Sequence, residues 1–223
     1  MLGDLETYSL SHFMPMTPEV YFRLFERLNS QLWPWQLLVF ALFLAGAEAL
    51  RRGRSVMAGV LVALCWLWVA LAFQFSLHGE LSPAGAWLGW AFVLQALLLL
   101  VAGWRGQLVG QRGPRARVGL ALLVFALFLY PLLGPLTVRT WAGLEVPGTA
   151  PDPTLMATLA LLVMTPRLPW LLVPVPVLAL VFSAATWWTL GWEPGLVVGL
   201  LAILFLLCPL IGRLRQTPFY RRP

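Results

Sequence analysis

The chain has 223 residues, of which 60% are hydrophobic and 11% charged, with a formal net charge of +6. That is far more apolar than a soluble domain requires, and the apolar residues fall in continuous runs of near-bilayer length that do not alternate as barrel strands do. The charge does not indicate nucleic acid, because all fifteen bases are arginine and most sit in short loops beside apolar runs, the pattern of membrane orientation and of contact with anionic lipid headgroups. The expected class is all-α: a polytopic helical membrane protein.

Residues 1–16 read as irregular, and MLGDLETYSL is no signal peptide, with acids where a signal has bases. Thr17-Pro18-Glu19 predicts a helix start: a hydroxyl cap, a proline in the first turn and an acid at the positive end of the dipole. From Pro18 to about Leu32 the pattern is amphipathic, with Val20, Leu24 and Leu28 on one face and Phe25 beside it. This helix is too charged to span and is expected to lie on the membrane surface. Trp33-Pro34-Trp35 then marks an interface.

Seven spans are predicted, over about 35–50, 55–76, 84–104, 117–136, 153–165, 169–190 and 195–212. Tyr130, Pro131 and Pro135 predict a kink near the end of the fourth. The fifth has only thirteen residues, about 20 Å against a hydrocarbon core of about 30 Å. Either it borrows residues from 147–152 or its neighbours bury its outer end. The Arg105–Arg117 loop carries four arginines and no acid, so it belongs on the cytoplasmic side, which fixes the rest. With the amino terminus outside and the carboxyl terminus inside, twelve of fifteen arginines are cytoplasmic and eight of nine acids lie outside, Glu48 being the exception. The chain thus divides into an extracytoplasmic segment with an amphipathic interfacial helix (1–34), a seven-helix transmembrane domain (35–212) and a basic cytoplasmic tail (213–223).

Several stretches together carry a family resemblance: TPEVYFRLFERLNSQLWPWQ, YPLLGPL, APDPTLMATLALLVM and RLPWLLVPVPVLALVFSAATWWTLGWEPGLVVGLLA. In this order they resemble an uncharacterised family of small multi-pass bacterial membrane proteins, a domain of unknown function. Pro151-Asp152-Pro153-Thr154 matches the family's Pro-x-Pro-Thr opening of the fifth span, whereas Leu155 and Met156 stand where the family is more polar or aromatic. The resemblance implies the multi-pass topology and a bacterial cytoplasmic membrane, and no reaction.

Candidate site residues cluster on the outer side. Asp152 and Thr154, at the mouth of the short fifth helix, could bind a ligand or ion; the plainer reading is a helix cap. His78, Glu80, Arg139, Glu145 and Glu193 could join them in a polar cluster, or lie in solvated loops. Glu48, the one acid within a span, precedes Arg51 and Arg52 at ion-pairing spacing, so a local pair competes with a functional role. His12, Met14 and Met16 offer a weak set of soft ligands suited to Cu(I). Gln36, Gln74 and Gln95 could line a path or bond between helices. Cys65 and Cys208 read as small buried hydrophobes, and Gly85-x-x-x-Gly89 and Gly195-x-x-x-Gly199 as ordinary helix packing.

No zinc-protease motif, nucleophile elbow or phosphate loop occurs, and no lysine is present to hold retinal, so no cofactor is expected. Three readings follow. The first is a small-solute or ion binding or transport protein with an outward-facing polar site. The second is a non-catalytic accessory subunit of a larger membrane complex. An intramembrane enzyme comes third, for want of any paired acid–base or metal-ligand spacing. The expected partners are membrane lipids, with a protein partner or a second copy open and no nucleic acid.

Overall fold

A computed structural model describes residues 17–137, 139–201 and 204. His12, Met14, Met16, Cys208, most of the seventh apolar run and the 213–223 tail lie outside the described residues. Within them the protein is all-helical, with no strand and a single isolated bridge between Pro147 and Ala150.

Helix α1 spans Pro18–Leu32. Thr17 takes the extended conformation that precedes a helix, but its hydroxyl makes no capping bond. The buried face is Tyr21, Leu24, Phe25 and Leu28, whereas Val20 is 40% exposed. Leu24, Leu28 and Phe25 thus face inward as expected, and Tyr21 stands in the place expected for Val20. The cause is aromatic: Tyr21 and Phe22 pack on Trp187, and Phe25 stacks on Phe73. α1 meets the next helix, α2 (Trp35–Arg51), at 94°. It is moored to the loop after residue 137, where the Asn29 amide donates to Ala142 O at 2.6 Å and to Leu144 O at 2.8 Å.

α3 runs Ser55–Leu81 and is π-helical over Ala70–His78. α4 spans Pro83–Trp104 and is capped by the Ser82 hydroxyl, which accepts from Ala84 N. These two helices approach closely through glycine. A Cβ built on Gly59 would stand 2.7 Å from Leu99 O and 3.0 Å from the Gly103 Cα, so no side chain fits there at this spacing. On its other side α4 exposes Trp87, Trp90, Leu94, Leu97 and Trp104.

α5 covers Pro114–Leu133. Where a kink was expected near Pro131, the helix has a π-helical stretch, Phe125–Leu129, just ahead of it. Proline has no N–H to donate and its ring crowds the preceding turn, and the widened turn absorbs both.

α6, Pro151–Val163, is buried at every one of its thirteen residues. Both alternatives for this short run are realised in part: the helix takes in Pro151 and Asp152, and α3, α5 and α7 pack around it. α7 spans Trp170–Thr189, with a 3-10 turn at Trp170–Leu172 and α-helix from Pro174. A 3-10 turn at Glu193–Leu196 leads into the last described residues.

Four helices, α3, α4, α5 and α7, are long and apolar enough to cross a membrane. The arginine-rich loop after α4 is fastened to one end of this bundle. Gly110 N donates to Leu50 O, Gln111 N to Met164 O, and Leu108 N to the Ser55 hydroxyl. Arg51, Arg52, Arg54, Arg105, Arg112, Arg115, Arg117 and Arg167 therefore gather at this end. Glu48 is the acid there, bonded to Arg52 at 2.8 Å and paired with Arg51 at 3.2 Å, all three largely exposed. The local ion pair is the arrangement found.

Candidate functional site

The opposite end of the bundle holds a buried polar cluster beneath α1. Asp152 is its centre. It lies in the first turn of α6 but caps nothing: the N-cap position belongs to Ala150. Instead Asp152 Oδ2 accepts three hydrogen bonds, from Ser183 Oγ at 2.7 Å, Trp187 Nε1 at 2.8 Å and Tyr130 Oη at 2.9 Å. Ser183 and Trp187 reach it together because they stand four residues apart on one face of α7. Tyr130 is delivered by the turn that follows the π-helical stretch of α5. A carboxylate holding three donors on one oxygen fixes α5, α6 and α7 to a common point.

Beside it Arg139 and Glu145 form an ion pair with both side chains only 2% exposed. The Arg139 guanidinium also donates to Gly143 O at 2.8 Å. Four rings close over it: Phe25 at 4.7 Å, Phe22 at 5.1 Å, Trp192 at 5.3 Å and Trp187 at 5.8 Å from ring centroid to Cζ. Phe22 and Phe25 come from α1, so the helix covers the cation with π faces. Glu145 lies in the loop between α5 and α6. Burial pushes its carboxyl up to about 7, against the pull of Arg139, with the Asp152 charge adding to the rise.

His78 and Gln74 form the third part. They sit four residues apart in the π-helical end of α3, with His78 Nδ1 2.9 Å from Gln74 Oε1. That contact takes a proton on Nδ1 and leaves Nε2 as an acceptor, and Nε2 is buried with no partner among the described residues. His78 and Gln74 share one cavity with Asp152, Ser183, Thr186 and Tyr21. Its volume is about 20 Å³, room for a single water molecule.

Of the residues singled out from sequence, His78, Arg139, Glu145 and Asp152 meet here. All four are buried, which corrects the reading of solvated loops and of an ordinary cap. Thr154 is close by but fully engaged: its hydroxyl accepts from Gly148 N at 2.7 Å and donates to Ala150 O at 2.6 Å, pinning the loop to α6. Thr158 continues the string, donating to Thr154 O and accepting from Trp66 Nε1. Glu80 and Glu193 do not join the cluster. Glu80 is exposed and lies 3.8 Å from Arg27, and Glu193 is exposed in its 3-10 turn. Gln95 bonds between helices, donating to Leu172 O at 3.0 Å.

Three partners were not singled out as site residues: Tyr130, Ser183 and Trp187. Ser183 and Trp187 did carry a signal, a hydroxyl and an indole at helical spacing in an otherwise apolar run. Tyr130 carried a weaker one, a phenol beside a proline inside a span.

No curated protein and no solved structure matches the chain. A family model described as a family of unknown function (DUF6064) matches residues 18–211. That match takes in the whole described bundle and all the residues of the polar cluster, and the chain belongs to this uncharacterised family.

Proposed function

We propose that this chain is an integral protein of the bacterial cytoplasmic membrane, with seven spans, the amino terminus outside and the carboxyl terminus inside. In this reading it binds and passes a proton through an outward-side site centred on Asp152 and His78. The observation that carries the reading is the water-sized cavity they share. About 20 Å³ admits a water or a proton carried on one, and no organic solute. The site joins a carboxylate, an imidazole with a free nitrogen, and hydroxyl donors that can reorient, the side-chain types of intramembrane proton relays. The arginine-rich end supports the orientation, since basic loops stay on the cytoplasmic side.

The experiment is proton flux in vesicles. The purified protein is reconstituted with a trapped pH-sensitive dye, and a pH step is applied under a potassium-diffusion potential. Dissipation faster than in protein-free vesicles is expected, and Asp152→Asn, which keeps size and one oxygen acceptor, is expected to lower it to the protein-free rate. Equal rates for wild type and protein-free vesicles, or for wild type and the variant, would overturn the reading. The accessory-subunit reading draws on one observation, the exposed aromatic flank of α4. A second polypeptide retained at fixed stoichiometry during gentle extraction would favour it.

A further inference from the structure

A second cleft lies at the arginine-rich end of the bundle, between the end of α4 and the start of α7. Its volume is about 240 Å³. On α4 its wall is Leu98, Val101 and Arg105, which share one face over two turns. Trp170 and Leu171 line it from the α7 side, and Gln107 of the arginine loop adds a second polar group. One turn before Leu98, Gln95 donates to Leu172 O at 3.0 Å and ties the two walls together.

The lining is ordered by polarity. Arg105 and Gln107 are exposed at the loop end, and the apolar positions run inward from them. Leu98 stands seven residues before Arg105, about 10 Å along the helix. Val101 and Leu171 are exposed, so the apolar wall is open to an occupant. Trp104, next to Arg105, and Trp170, across the cleft, are exposed as well, as indoles are at a membrane–water boundary. The charge here is one-sided. Glu48 is the acid among the arginines of this end, and Arg51 and Arg52 already hold it. Arg105 pairs with no acid among the described residues.

From these features we infer that the cleft binds one anionic phospholipid, with its phosphate on Arg105 and one acyl chain along Val101, Leu98 and Leu171. A guanidinium suits a phosphate because its planar fork can donate two hydrogen bonds at once. The apolar wall selects a lipid over a soluble phosphate, which would leave that wall uncovered. The surrounding charge selects among lipids. A zwitterionic headgroup brings its own cation to an end where eight arginines gather, whereas a phosphatidylglycerol headgroup brings net negative charge. The inference rests on the membrane placement proposed above and not on proton transfer at Asp152. Lipid retention and proton flux are separate readouts, so the failure of one leaves the other standing.

The test is native mass spectrometry of the full chain in mild detergent, titrated with phosphatidylglycerol or phosphatidylethanolamine of matched chains. One retained phosphatidylglycerol is expected, preferred over phosphatidylethanolamine by roughly fivefold. Arg105→Gln, at an exposed position, should shrink that preference to about twofold or less. Arg115→Gln removes an exposed charge from the same end but not from the cleft, and should leave the preference as in wild type. Glycerophosphoglycerol, the headgroup without its chains, should fail to displace the lipid at equal concentration. Equal retention of the two lipids by wild type would overturn the inference, as would an Arg105→Gln protein that keeps the full preference. So would equal losses in the Arg105 and Arg115 variants, which would mean diffuse attraction without a site. Displacement by the chainless headgroup would assign the cleft to a soluble phosphodiester and overturn the lipid.

Discussion

At the scale of single residues, the Arg139–Glu145 pair has the strongest consequence for stability. Both charges are out of water, and each is tolerable because the other is present. Arg139→Met should leave Glu145 buried alone and cost about 3–5 kcal/mol. Removing both charges with Arg139→Met and Glu145→Leu should restore most of that loss. Unfolding of the three proteins in one detergent measures the difference, and a double variant no better than the single one would show that the pair matters through shape and not charge. The exposed Glu48–Arg52 pair is the contrast, since a pair screened by water adds little to stability. Sequence spacing predicted that pair because its partners are three and four residues away. It could not predict that Arg139, six residues from Glu145, would be roofed by Phe22 and Phe25 from more than a hundred residues earlier, because that contact exists only once α1 folds over the bundle.

At the scale of elements, runs of apolar residues were readable and their mutual approach was not. The boundaries of α2, α4 and α7 follow from the run lengths and the prolines, and the π-helical stretch before Pro131 follows from proline chemistry. The glycine pairs at 85/89 and 195/199 drew attention because they share a helix, and both pack on nearby chain, Gly89 against Phe75 and Gly195 against Trp187. A further close approach pairs Gly59 with Gly103, one from each of two helices, a pairing that a single helix's spacing cannot reveal. Gly59→Val should push α3 from α4 and cost about 1–3 kcal/mol, the usual penalty of overpacking. Val60→Leu, on the exposed side of the same turn, should be nearly neutral. Thermal unfolding of the two variants against wild type checks this, and equal effects would mean that the helices part without strain.

For the molecule as a whole, the sequence disclosed its polarity of charge better than its interior. Eight arginines collect at one end of the described bundle and the buried acids at the other, as the loop charges implied. The proposed orientation is open to a direct check. With Cys65 and Cys208 replaced by alanine, Glu80→Cys should react with a membrane-impermeant maleimide in cells whose outer face is accessible, and Arg112→Cys only after permeabilisation. The reverse pattern would invert the topology. The sequence left open how completely the short helix α6 is enclosed. It is thirteen residues long and enclosed on every side. A helix with one outward face can absorb the loss of a residue by turning and hiding the misfit on that face. α6 has no such face. Deleting one residue would swing everything beyond it by about 100°, carrying either Asp152 away from Tyr130, Ser183 and Trp187 or the far end away from α5. The number of residues in α6 is therefore held as tightly as their identity, so insertions and deletions are excluded from this segment even where a change of side chain is tolerated.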